Sequence, residues 1–176
     1  MLAAGGCGGG QRQDANDPHG TYMVDLERAQ FPSSQRIAKR ANFVITVRNV
    51  GDATIPNLAV TLHGFTRRTG SSRDASPSAS LWIIDAPPPG AQTAIEDTWA
   101  AGALQPGERA TLRWRVTPIV AGTHVLNYSI APSLQDRARA RLAGGGASRG
   151  TLTVNVLAKP APSRVDPHTG RVIRPE

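Results

Sequence analysis

A chain of 176 residues with 39% hydrophobic content has room for one modest core with tails around it, and its single cysteine, Cys7, excludes an internal disulfide. The net charge of +7 invites a nucleic-acid reading, but only Lys39 and Lys159 of the 20 basic residues are lysine. Arginine shares GC-rich codons with the abundant Ala, Gly and Pro, so no nucleic-acid partner is expected, and the charge is left to weak attraction for anionic envelope polymers or lipid head groups.

The opening M-L-A-A-G-G-C-G-G-G places small residues before a lone cysteine and a Gly-rich stretch after it. It resembles the end of a bacterial lipoprotein signal peptide, which implies lipid attachment at Cys7. Met1 to Gly6 lacks the basic and apolar regions of a full signal, so this resemblance implies a true start further upstream or a trimmed chain. The alternative is an incidental thiol in a Gly-rich leader. Residues 1–20 are therefore assigned to leader and tether, 21–157 to a folded domain and 158–176 to a Pro-rich tail.

Strands follow in order, each recognised by period-two alternation. Tyr22, Val24 and Leu26 share one side of the first, then Phe43, Ile45 and Val47, then Leu58, Val60 and Leu62. Between the last two lies N-V-G-D-A-T-I-P, where Asn49 is expected to bond the turn backbone and Gly51 to adopt positive φ. Thr66 to Ser80 reads as a fifteen-residue polar loop. Leu81 to Ile84 is a short apolar run stopped by Asp85 and the prolines 87–89, and Gln92 to Trp99 can pair again.

The most regular stretch is Leu104 to Ile130. Leu112, Trp114 and Val116 alternate with Arg113, Arg115 and Thr117, then Leu126, Tyr128 and Ile130 alternate with polar neighbours. A segment with D-R-A-R-A-R and a glycine run follows, and Leu152, Val154 and Val156 close the domain. The tail could turn around D-P-H-T-G but is expected to be extended or poorly packed. The pattern predicts an all-β, immunoglobulin- or fibronectin-III-like antiparallel β-sandwich of about seven strands with flexible tails.

Three segments together carry a family resemblance: N-F-V-I-T-V-R-N-V-G-D-A-T-I-P-N-L-A-V-T-L, W-A-A-G-A-L-Q-P-G-E-R-A-T-L-R-W-R-V and A-G-T-H-V-L-N-Y-S-I. They resemble CARDB-type and related bacterial immunoglobulin-like modules over about Asn42 to Val156. The whole layout is similar to small secreted or lipid-anchored actinobacterial proteins. The resemblance implies a non-catalytic adhesion, spacer or scaffold module outside the cytoplasm.

Catalytic chemistry finds no anchor in the residues. His19, His63, His124 and His168 are far apart, with His63 on outward and His124 on inward parity, so no metal site is expected. There is no G-x-S-x-G elbow, and Asp85, Glu96, Asp97 and Glu108 all stand beside turns, so neither enzyme activity nor a cofactor is expected. Contact candidates are Trp82 and Trp99, which would stack on sugar faces if exposed and cap the core if buried. The others are Arg113 and Arg115 on one outward face, and Arg137, Arg139 and Arg141, which line one side if that segment is extended. Aligned arginines bind carboxylate or phosphate bidentately, or else form a solvated, edge-protecting face. The expected partner is a protein or a cell-wall polymer, with membrane contact only through a lipid on Cys7.

Overall fold

The computed structural model describes residues 19–68, 78–95, 97–134, 137–160 and 164–173. The chain forms, in order, β1 (Gly20–Gln30), β2 (Ser34–Arg36), β3 (Ala41–Asn49), β4 (Ala59–His63), β5 (Thr66–Arg68), β6 (Ser78–Ser80), β7 (Trp82–Ala86) and β8 (Gln92–Ile95). It continues with β9 (Thr98–Ala100), β10 (Arg109–Pro118), β11 (Gly122–Ala131), β12 (Ala138–Leu142), β13 (Arg149–Leu157), β14 (Arg164–Val165) and β15 (Val172–Ile173). A five-stranded sheet, β12-β1-β3-β10-β7, faces a six-stranded sheet, β2-β13-β11-β4-β9-β8. The fold class is that of an immunoglobulin-like β-sandwich.

Together the two sheets hold eleven strands among the described residues, more than the seven or so expected. The additions are short pieces inside connections, where three to five residues show too little alternation to read. Two of them also break the antiparallel expectation, since β12 pairs parallel to β1 and β2 parallel to β13. Thr66 to Arg68 and Ser78 to Ser80 pair as β5 and β6 at the mouth of the predicted loop, whose residues 69–77 lie outside the described ones. The D-P-H-T-G tail forms a hairpin, β14 with β15, where an extended or poorly packed segment was expected; Val165 and Val172 in it are exposed, so it is poorly packed but not extended. Its turn is held by Asp166, which accepts backbone N–H groups from His168 at 2.8 Å and Thr169 at 3.4 Å. Those bonds to the ionised carboxylate lower its pKa.

Inward parity is met along every long strand. Val24, Phe43, Ile45, Val47, Leu112, Trp114 and Val116 from one sheet and Val60, Leu62, Leu126, Ile130, Val154 and Val156 from the other are all buried. Removing such a side chain from water contributes roughly 1.5–3 kcal/mol, so apolar burial supplies most of the core's stability. Trp82 and Trp99 belong to it. They are 2% and 4% exposed, which overturns their assignment as stacking contacts. Trp82 lies opposite Pro118 at the inward register of β7, packs against Phe31 and Phe65 at 5.8 Å each, and donates its Nε1–H to Gln35 Oε1 at 2.8 Å. Trp99 lies opposite Val60 and meets Trp114 edge to face at 5.3 Å. His124 closes the same cluster against Trp82 at 5.1 Å, while His63 is exposed on the outer face, as their parities required.

The two motifs N-V-G and L-Q-P-G-E meet in space. Asn49 is fully buried, and its Nδ2 donates to Ala53 O at 2.9 Å and Leu104 O at 2.8 Å while its Oδ1 accepts the Gly51 N–H at 3.0 Å. Its main chain accepts from Gly107 N and donates to Glu108 O. Leu104 and Ile55 exchange both backbone hydrogen bonds at 2.9 Å and plug this end of the core. Positive φ falls on Gly107, at 79°, and not on Gly51. The Asn49 side chain already closes the earlier turn, so the backbone there needs no left-handed residue.

Candidate anion-binding surface

The outer faces of the two sheets carry different chemistry. On the six-stranded sheet, Thr151, Thr153 and Asn155 from β13 lie beside Asn127, Val125 and Thr123 from β11. Two pairs of polar groups on this face bond one another: Thr151 Oγ1 donates to Asn127 Oδ1 at 2.8 Å, and the Thr61 and Thr98 hydroxyls share a bond of 2.9 Å. On the five-stranded sheet, arginines recur among the outward positions.

Register sets the arrangement. Across β1, β3 and β10, Asp25 stands opposite Arg48, and Arg48 opposite Arg109. Two like charges side by side repel. Here they are compensated, because Glu27 lies next to a register shift in β1 and takes Arg109 Nε at 2.7 and 2.8 Å. Arg48 donates to Gly107 O at 3.3 Å. The middle of the face is thus nearly neutral.

Its two ends are not. At one end Arg113 lies opposite Val44, and Arg115 opposite Asn42 and Ala86, all on the outer face. Arg28, turned outward after the shift, sits a row away opposite Thr46 and bonds Gln30 Oε1. At the other end Arg139 stands opposite Thr21 and Arg141 opposite Met23, with Arg137 exposed just before them. Arg113, Arg115, Arg139 and Arg141 are exposed, and none has an ion-pair or hydrogen-bond partner among the described residues. An exposed guanidinium with five free donors is the group that takes planar oxyanions bidentately.

The β12 end is also concave. An open cleft of about 1290 Å³ runs between β12 with its following turn and the adjoining ends of β11 and β13. Arg139, Arg141 and Arg149 line it together with Ser129 and Ser148, and no carboxylate among the described residues does. The turn between β12 and β13 is shaped by Gly145 and Gly146, both at positive φ. Beside the cleft, Tyr128 lies across Gly150, where an added Cβ would come within 2.3 Å of the tyrosine hydroxyl oxygen. Burial raises the Tyr128 pKa.

Of the contact candidates, the structure brings Arg113, Arg115, Arg139 and Arg141 to one face, keeps Arg137 beside them, and removes Trp82 and Trp99 to the core. Cys7 lies outside the described residues. Sequence reasoning missed Arg28 and Arg149. The cue for Arg149 was its outward parity with Thr151 and Thr153. Arg28 had none, because a bulge resets its parity. Among the described residues, no three His, Cys, Asp or Glu side chains gather as a metal set.

No protein-family model and no curated protein matches this sequence. Among solved structures, the chain is similar to the CARDB domain of a Pyrococcus furiosus protein, crystallised in complex with di-metal ions. The two share 15% identity over 79% of this chain and 93% of that one, with a TM-score of 0.44. The same domain solved by NMR gives 15% identity, 79% and 94% coverage, and a TM-score of 0.46. Red sea bream transglutaminase is similar at 15% identity and a TM-score of 0.43 over 77% of this chain and 15% of that one.

Proposed function

We propose that this protein is a non-catalytic, extracytoplasmic interaction module held at the membrane through a lipid on Cys7. One observation supports the binding role above others: Arg113, Arg115, Arg139 and Arg141 share the outer face of one sheet, exposed and with no ion-pair or hydrogen-bond partner among the described residues. A sandwich stabilised by its core can carry such a face without cost to folding, because exposed charge substitutions typically change stability by under about 0.5 kcal/mol. The face acts as a docking surface for an anionic component of the envelope. The Gly-rich segment after Cys7 serves as the tether that lets the module reach it.

Two experiments test the two halves separately. With the complete gene expressed in its own host and labelled fatty acid supplied, label enters the protein and is lost in Cys7→Ala. A soluble, unlabelled product would remove the anchor. Purified protein sediments with isolated envelopes, and the double variant Arg113→Glu, Arg115→Glu sediments less. Equal sedimentation of both would remove the docking face.

A further inference from the structure

We propose that the arginine face takes a linear polyanion, one carrying a carboxylate or phosphate on each repeat and no bases, which bridges the Arg113–Arg115 corner and the β12 cleft. This deepens the interaction-module reading and rests on it.

The argument starts from the separation of the two cationic ends. Arg139 is level with Thr21 on β1, and Arg113 is in the row of Val44 and Gln30, at the far end of the same strand. At the rise of a β-strand this places the corners roughly 30 Å apart. Between them Asp25 and Glu27 compensate Arg48 and Arg109. A small anion therefore meets one corner or the other, and only an extended chain meets both.

Edge protection does not account for the pattern. It would explain charge on β12, which is a sheet edge, but Arg115 is paired on both sides, with Asn42 and Ala86. Nor does internal electrostatics, since the same face pairs Arg109 with Glu27 and leaves Arg139 and Arg141 without partners. The cleft adds shape to charge. Arg139 and Arg141 reach it from one sheet and Arg149 from the other, so an oxyanion entering there meets guanidinium groups from two sides. The absence of bases follows from the aromatic side chains. All three Trp, all three Phe and Tyr128 are buried, and the half-buried Tyr22 packs inward against the core, so this face offers no Trp, Phe or Tyr ring on which a nucleobase could stack.

The test is titration of the purified full chain with oligomannuronates from a disaccharide upward, with inorganic polyphosphates over the same range, and with single-stranded DNA of matched charge. Short chains are expected to bind weakly. Once a chain spans both corners its affinity rises at least about a hundredfold. Arg113→Glu with Arg115→Glu, or Arg139→Glu with Arg141→Glu, each returns long chains to the short-chain affinity, and whichever polymer binds tighter names the oxyanion. Arg→Gln pairs at the same positions repeat the measurement if a charge reversal perturbs folding. Affinity independent of length, loss from one corner only, or DNA binding tighter than both polymers would overturn the proposal. Protein that sediments with envelopes through Arg113 and Arg115 yet shows no length step loses this inference alone, whereas protein that does neither loses the interaction-module reading too.

Discussion

At the junction of β3 with the turn before β10, Asn49 commits its whole side chain to the protein: two carbonyls accept from its amide nitrogen and one N–H donates to its oxygen. At the β12 corner, Arg139 and Arg141 commit none of their donors. Both places are polar, and their difference is one of solvation. A buried amide must find partners inside the fold or destabilise it, whereas an exposed guanidinium remains solvated and available. Polar groups that the fold needs are therefore found bonded and buried, and those left for a partner are found free and exposed.

The largest test breaks the bonded side of this comparison. Asn49→Ala leaves Ala53 O and Gly51 N without their side-chain partner, removes one of the two bonds to Leu104 O, and is expected to cost about 3 kcal/mol of stability. Polyanion affinity per folded molecule should not change. A urea unfolding curve gives the first quantity, and titration under strongly native conditions the second.

A second, smaller test compares two buried indoles. Trp82 Nε1 has its acceptor in Gln35, itself buried, whereas Trp114 Nε1 is buried without a hydrogen-bond partner. Replacing either by Phe shrinks the core by a similar amount, but only Trp82→Phe leaves a carbonyl oxygen unpaired. Trp82→Phe should therefore be less stable than Trp114→Phe by about 1 kcal/mol. Equal losses on thermal denaturation would mean that the Trp82–Gln35 bond contributes nothing.

Between bonded and free stands Arg109, and Glu27→Gln moves it across. The ion pair is partly exposed, so its loss should cost under about 1 kcal/mol. The same change frees a guanidinium in the neutral middle of the face. Affinity for a long polyanion should rise severalfold, with a steeper dependence on salt. A drop in affinity would show that Glu27 positions Arg109 for the ligand and does not mask it.

Period-two alternation made the core strands legible: Phe43, Ile45 and Val47, then Leu112, Trp114 and Val116, are buried where parity placed them. It also placed Arg113 and Arg115 outside. Leu81 to Ile84 was not legible in this way, since four consecutive apolar residues assign no face, and Trp82 could be placed only by its register against Pro118. The binding face as a whole was beyond the sequence for a different reason. It depends on a parallel pairing that sets Arg139 beside Thr21, more than a hundred residues earlier in the chain, and on a bulge at Glu27 that local alternation does not encode. The N-V-G and L-Q-P-G-E motifs were legible one at a time. What was not legible is that a single buried asparagine joins them.

The smallest effect concerns Tyr128, which belongs to neither class. It is buried across Gly150, and no hydrogen bond to its hydroxyl is found among the described residues, so desolvation alone raises its pKa. A phenol whose folded pKa lies above its unfolded value favours the folded state while it is protonated. That contribution is complete below the unfolded value near 10 and is lost as pH rises through the folded one. Stability should therefore be flat across neutral pH at this site and fall in the alkaline range. Tyr128→Phe should match the parent at neutral pH, because no hydrogen bond is lost, and should lack this component of the alkaline decline. Parallel thermal melts of the two proteins from pH 7 to beyond pH 10 decide it. A neutral-pH loss in Tyr128→Phe would assign the hydroxyl a partner and move Tyr128 to the bonded side with Asn49.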